Sequence, residues 1–428
     1  MKKKTLILLS AILATTFIGC GQIGNKNIAK DLLNSSSSEE SETSIEDESK
    51  ESESEVEEAS KEEMEESAPD EEEVIAVPTE EPQEDIDTSG MTEAQRFVSN
   101  ISVGWNLGNT LDAHGRGNTL NSETYWGNPK TTKAMIDEVS RAGFNTIRIP
   151  VTFAEHLGSA PDYLIDGAWL DRVQETVNYA IDNDMYVILD THHETDYWLI
   201  PTKENEESIT EELTAIWLQL SERFKDYDEK LIFEGMNEPR VEGSAMEWNG
   251  GTPAEREVVN NMNQAFVDTV RRTGGNNANR YLIVCTYGHS GVEEAVRDLV
   301  IPDDEHIIAA VHIYAPYEFC FEQGRNYSNW DGSELNAIQY HVNELKKKFY
   351  DQGIPVIVTE FGACNKNNEE EVLKWLHDYM GEMKKYGFKL VWWDNGNYNS
   401  QGEKFAIFNR KNLSWYSEAI KDMLINES

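Results

Sequence analysis

Apolar, β-branched runs recur along most of the chain at intervals of about 40 residues: 101–105, 145–149, 185–189, 231–233, 281–285, 307–311, 355–358 and 389–393. They are continuous, not alternating, as strands are when both faces of a parallel sheet are covered. Between most of them apolar and charged positions recur with helical spacing, over 131–142, 169–183, 210–224, 253–273, 334–350 and 369–386. Strand then helix, eight times over, predicts a (β/α)8 barrel of the TIM type. A doubly wound sheet shows the same alternation, but no glycine-rich phosphate loop follows the first strand here.

The N-terminal fifth has a different pattern. Residues 1–20 hold three lysines, an apolar run too short to span a bilayer, and Gly19-Cys20, which reads as a signal peptide. The ending Phe17-Ile18-Gly19-Cys20 resembles a bacterial lipobox, in which the cysteine carries the lipid; Phe17 stands where leucine is commonest, so free secretion is the alternative. Residues 21–90 carry 25 acidic and 4 basic side chains, about half the chain's net charge of −42. Such a segment buries too little apolar surface to offset its chain entropy and is expected to be a disordered acidic linker. Residues 91–428 then form one catalytic-sized domain. An extracellular location follows, at the membrane surface if Cys20 is lipidated. The acidic balance of the domain argues against nucleic acid. Cys285, Cys320 and Cys364 are odd in number and lack metal-ligand spacing, so they read as buried or free thiols with at most one disulfide. No cofactor is expected, and a monomer is.

In a (β/α)8 barrel the chemistry sits past the C-terminal strand ends. Asn106, Asn109 and Asp112 follow the first run and Arg148 ends the second. Asp190-Thr191-His192-His193 follows the third, Asn237-Glu238 the fourth and His312-Ile313-Tyr314 the sixth. Glu360 ends the seventh, and Trp393-Asp394-Asn395 closes the eighth. Glu238 and Glu360 are about 120 residues apart in sequence, yet converging strand ends can hold them together. A retaining glycosidase needs two carboxyls roughly 5–5.5 Å apart, one as proton donor and one as nucleophile. Glu238 beside Asn237 suits the acid/base, since an amide there can bond the sugar 2-hydroxyl. Glu360 suits the nucleophile, with Arg148 and Tyr314 to favour its anion. His192, His193 and His312 are candidates to orient these groups. Adjacent strand residues point to opposite faces, so at most one of His192 and His193 should face the mouth. Trp393 offers a flat face to a sugar ring, and some of Trp126, Trp198, Trp248 and Trp330 should line a groove. Two other classes compete: a non-catalytic polysaccharide-binding lipoprotein, disfavoured by an intact carboxyl pair, and a metal-dependent hydrolase using the histidines, which a chelator would inhibit.

Taken in order, Asn-Leu-Gly-Asn-Thr-Leu-Asp at 106–112, Ile-Arg-Ile-Pro at 147–150, His-His at 192–193, Asn-Glu-Pro at 237–239, His-Ile-Tyr at 312–314, Thr-Glu-Phe-Gly at 359–362 and Trp-Trp-Asp-Asn at 392–395 resemble glycoside hydrolase family five. The resemblance covers residues 95–428. The opening Gly-Trp-Asn-Leu-Gly-Asn-Thr and the segment Tyr125-Trp126-Gly127-Asn128-Pro129 resemble its bacterial endo-β-1,4-glucanases, a group that includes xyloglucanases, lichenases and some xylanases. It implies a retaining mechanism on a β-glucan, cellulose first, with Glu238 as acid/base and Glu360 as nucleophile. It also implies a substrate-binding set of Arg148, His192, Asn237, His312, Tyr314 and Trp393, joined in some relatives by Asn109 and Asp112.

Overall fold

The computed structural model describes residues 90–322 and 327–428; the predicted signal peptide, Cys20 and nearly all of the acidic linker lie outside the described residues. Eight parallel strands close into a barrel in sequence order: β1 (Val103–Asn106), β2 (Thr146–Ile149), β3 (Tyr186–Asp190), β4 (Leu231–Glu234), β5 (Leu282–Ser290), β6 (Ile307–His312), β7 (Val356–Phe361) and β8 (Lys389–Trp392). The (β/α)8 expectation therefore holds.

The six predicted helices form with their ends shifted by at most four residues, at Lys133–Arg141, Gly167–Ile181, Glu206–Phe224, Pro253–Arg272, Leu335–Lys348 and Glu369–Lys384. Local chemistry sets several starts. Asp166 accepts from the amides of Ala168 and Trp169, and Thr252 forms a capping box with Glu255 ahead of Pro253. The helices bury one apolar stripe each against the outer strand faces.

The barrel interior is a separate apolar layer of Ile188, Ile232, Ile283, Ile308, Ala310, Ile357 and Val391. On β1 the layer has room for no side chain: a Cβ on Gly104 would lie 2.8 Å from a Val391 methyl. A helix the pattern did not predict, α1 (Glu93–Ser99), joins Phe97 and Val98 to this layer. Phe97 stacks on Tyr281 with centroids 3.6 Å apart. The interior is thus a packed plug, and polar chemistry is confined to the opposite, C-terminal end.

Two expectations fail locally. The fifth run was expected to end at 285, but β5 continues to Ser290 through a register shift, because Gly288 and His289 adopt left-handed backbone and let the strand bulge and re-pair. The one-face rule for His192 and His193 does not apply, because β3 ends at Asp190 and both histidines lie in the turn beyond it. Cys285, Cys320 and Cys364 are all buried free thiols.

Candidate active site

Strand alternation builds the floor of the site. One pleat repeat above the apolar plug, the same strand faces carry Asn106, Asp190, Glu234 and Thr359, with Arg148 paired in register to Asn106. Arg148 is fully buried and organises the layer. Its Nε donates to Glu234 Oε2 at 2.5 Å, and Nη2 lies 2.5 Å from Asp190 Oδ2. Nη1 donates to Glu360 Oε1 at 2.8 Å and to Asn106 Oδ1 at 3.1 Å. Nη2 also donates to Asn237 Oδ1 at 2.8 Å, which turns the Asn237 amide nitrogen away from the arginine.

Burial opposes the charge on Arg148, but Asp190, Glu234 and Glu360 outweigh it and raise its pKa further. Three buried carboxylates against one cation do not all ionise alike. Burial pushes Glu234 up, yet Arg148 and then His289 pull it well below the ordinary carboxylate range. Asp190 is pushed up to about 8 by burial, against the pull of Arg148. Burial also drives Glu360 well above the ordinary range; Arg148 and Tyr314 oppose this and the Glu238 carboxyl reinforces it.

Glu360, on β7, receives the Tyr314 hydroxyl at Oε2, 3.0 Å away. Glu238 lies just past β4 with φ of 42°, and its Oε1 is 3.0 Å from His312 Nδ1. The same nitrogen is 3.6 Å from Glu360 Oε2. One oxygen of each carboxyl and a His312 nitrogen all fall within 4.8 Å of one another. Burial, then His289 and Arg148, hold the His312 pKa well below its usual value, so the ring bridging the two carboxyls is neutral. His192 is kept neutral in the same way by burial, His193 and Arg148; its Nδ1 meets Asp190 at 3.0 Å and its ring lies parallel to Trp393 at 5.7 Å.

The structure thus gathers Arg148, His192, Asn237, Glu238, His312, Tyr314, Glu360 and Trp393 into one cluster. Trp126, 40% exposed, and His193 line its rim, with rings 5.3 Å apart. Asp112 is placed differently from a direct sugar contact, whereas Asn109 is half-buried beside it. Asp112 is fully buried and accepts from the amides of Asn109 at 2.9 Å and Thr110 at 2.6 Å, bracing the loop after β1. Of the other loop tryptophans, Trp330 is buried with its indole N–H on Asp378, and Trp198 donates to Glu194. Among the described residues four groups have ligand atoms close enough for a metal ion: Asp112–His192–His193, His114–His193–Asp196, Glu234–His289–His312 and Glu238–His312–Glu360. Three already hold an internal contact, at 3.0 Å for His114–Asp196 and His312–Glu238 and 3.1 Å for His289–Glu234, and in the fourth Asp112 accepts from the amides of its own loop.

Sequence reasoning placed Asp190 past the third strand without giving it a role, and missed Glu234, His289 and Arg240. The available signal was a charge inside or at the very end of an apolar strand, which demands a buried partner; Glu234 and Arg148 answer one another. Arg240 reaches Glu238 Oε2 at 3.4 Å, stacked over Trp248 at 4.6 Å.

Two carboxyls this close, at the C-terminal mouth of a (β/α)8 barrel, define a glycoside hydrolase of the barrel class. The family model Cellulase (glycosyl hydrolase family 5) matches residues 111–399. Endoglucanase A of Ruminococcus albus is 48% identical over 340 residues, spanning 78% of this chain and 93% of the relative. Among solved structures, a xyloglucan-specific endo-β-1,4-glucanase from a metagenomic library, in complex with cellotriose, is 55% identical with a TM-score of 0.77, covering 78% of this chain and 99% of that one. A broad-specificity endoglucanase from Clostridium acetobutylicum is 47% identical with a TM-score of 0.74, covering 78% and 100%. The chain belongs to glycosyl hydrolase family 5.

Proposed function

We propose that the protein is a retaining, endo-acting hydrolase of β-1,4-glucosidic bonds in cellulose and related β-glucans. The observation that carries this reading is the Glu238–Glu360 pair with His312 Nδ1 between them, one oxygen of each carboxyl and that nitrogen all within 4.8 Å of one another, close enough for a double displacement. Although burial and Glu238 raise the Glu360 pKa, Arg148 and Tyr314 both donate to this carboxyl, so when the pair shares a single proton they favour the anion there, and Glu360 is the nucleophile. It attacks the anomeric carbon as the bond to the leaving oxygen breaks, and the Glu238 proton passes to that oxygen. Water then displaces Glu360, with its proton returning to Glu238. Asn237, its oxygen held by Arg148, presents its N–H2 to the sugar 2-hydroxyl, and Trp393 supplies the apolar face beneath the ring.

The 55% identity to a xyloglucan-specific relative favours a second reading in which branched β-1,4-glucan is preferred on the same site. Reducing-sugar release from cellulose derivative, xyloglucan, mixed-linkage glucan and xylan separates the two readings. Glu360→Ala is expected to abolish turnover of every substrate. Glu238→Ala should spare glycosides with very good leaving groups and be accelerated by azide, with a β-glycosyl azide as product. Substantial polysaccharide turnover by either variant sinks the assignment.

We further propose an extracellular, monomeric enzyme tethered through lipidated Cys20 and the acidic segment. The run of residues 17–20 supports the anchor. The mass of the mature N-terminal peptide tests it, and an unmodified N-terminus refutes the lipid.

A further inference from the structure

The bulged end of β5 carries a buried side chain that the scheme above leaves without a task. His289 is fully buried and lies face to face with His312, ring centroids 4.1 Å apart and planes 22° from parallel. Its Nδ1 accepts the backbone N–H of Glu238 at 2.9 Å. An amide N–H can only donate, so Nδ1 is unprotonated and the ring's proton resides on Nε2. Nε2 then donates to Glu234 Oε1 at 3.1 Å, the oxygen that also receives the Thr359 hydroxyl at 3.0 Å. The tautomer is fixed from both sides.

The backbone around this contact is unusual. Glu238 has φ of 42° and His289 φ of 50°, a left-handed region that side-chain-bearing residues rarely occupy. A second bond joins the same two segments, Gly288 N–H to the Pro239 carbonyl at 2.8 Å. The end of β5 therefore clamps the turn in which Glu238 sits.

We propose that His289 is a positioning residue for the acid/base. By capping the Glu238 amide it holds the left-handed turn that aims the carboxyl at His312 and across from Glu360. By stacking on His312 it keeps that ring under the Glu238 carboxyl. The proposal rests on the reading of Glu238 as the acid/base, and its consequence is specific: loss of His289 impairs proton delivery more than nucleophilic attack.

The test compares aryl β-cellobiosides bearing a poor leaving group (phenoxide) and a good one (dinitrophenoxide), using the whole enzyme. His289→Leu removes both ring nitrogens. It is expected to lose about a hundredfold or more in kcat/KM on the phenyl substrate, the scale of general acid catalysis, and less than about tenfold on the dinitrophenyl one. His289→Asn places an amide oxygen near the Nδ1 position and tolerates left-handed backbone, so it is expected to stay within about tenfold of wild type on both. Should the leucine variant fail to fold, His289→Gln takes its place: its longer amide reaches toward Glu234 and leaves the Glu238 amide uncapped, so Gln must show the split and Asn must not. Equal loss on both substrates, or no loss on either, overturns the proposal, as does the reverse order of Gln and Asn. Glu238→Ala runs alongside. If it fails to show the leaving-group split, the acid/base reading itself is wrong; if it shows the split and the His289 variants do not, only the positioning role is wrong.

Discussion

Replacing Arg148 by methionine tests whether one buried cation holds the floor of the site together. The guanidinium contacts Glu234, Asp190 and Glu360 at 2.5, 2.5 and 2.8 Å, and both it and the first two carboxylates are fully buried. Methionine fills most of the volume, so cavity formation contributes little and the charge effect is isolated. Removing one partner of a buried ion pair leaves the other uncompensated, at about 3–5 kcal/mol. With an unfolding entropy of about 2 cal/mol/K per residue, a domain of this size should lose about 4–7 °C in Tm.

The pH dependence carries the sharper test. In the wild type, burial raises the Glu234 pKa but Arg148 and His289 hold it below the unfolded value. Its anion therefore adds stability above the unfolded pKa of about 4.3, and that stability is lost as pH falls through the folded value. Without Arg148, burial dominates and the folded pKa rises above the unfolded one. The same carboxyl then loses stability as pH rises past about 4. The gap between wild type and Arg148→Met should accordingly widen from pH 4 to pH 8, followed by thermal unfolding at one scan rate. A flat gap, or a Tm difference under about 1 °C at pH 7, would refute the claim that this arginine's charge is what the layer depends on.

Two further outcomes are expected. Trapping Glu360 as a neutral 2-fluoroglycosyl ester removes the charge that, with burial, makes the pair hold its proton; the upper titration step of carbon-13-labelled glutamates should then move down, and a step that stays or rises contradicts the proton-cycling mechanism. Trp126→Ala removes an exposed rim indole next to His193 and should raise KM on polysaccharide by about five- to thirtyfold at unchanged kcat, the equivalent of about 1–2 kcal/mol of stacking; unchanged KM places the substrate elsewhere.

The barrel was legible because its strands are continuous apolar runs and its helices are amphipathic at the right spacing. The site was legible where residues stand just beyond those runs: Asn237, Glu238, His312, Tyr314, Glu360 and Trp393 are polar or aromatic residues at positions where an apolar strand ends. What lies lower was harder to read. Asp190 and Glu234 are the last residues of their strands and pass for ordinary strand ends, and only the register shows them facing Arg148. His289 was hidden for the opposite reason. Tyr287-Gly288-His289-Ser290 looks like a turn and the fifth apolar run stops before it, whereas left-handed backbone at two of these residues lets the strand resume.

Asp112 shows the limit of carrying a motif across. The residue type is right for a sugar hydroxyl, but in this chain both oxygens are taken by amides of its own loop, and a carboxylate so engaged orders backbone before it can bind ligand. The contrast with Glu360 is instructive. Its two oxygens also have partners, yet these are an arginine and a tyrosine side chain that stabilise an anion without enclosing it in its own turn. Backbone amides of its own turn fix Asp112 in the loop, whereas Glu360 and Glu238 meet side chains, Arg148 and Tyr314 for the one and His312 and Arg240 for the other. What separates the reacting glutamates from the bracing aspartate is whether the donors are backbone amides of the same loop or side chains around the mouth.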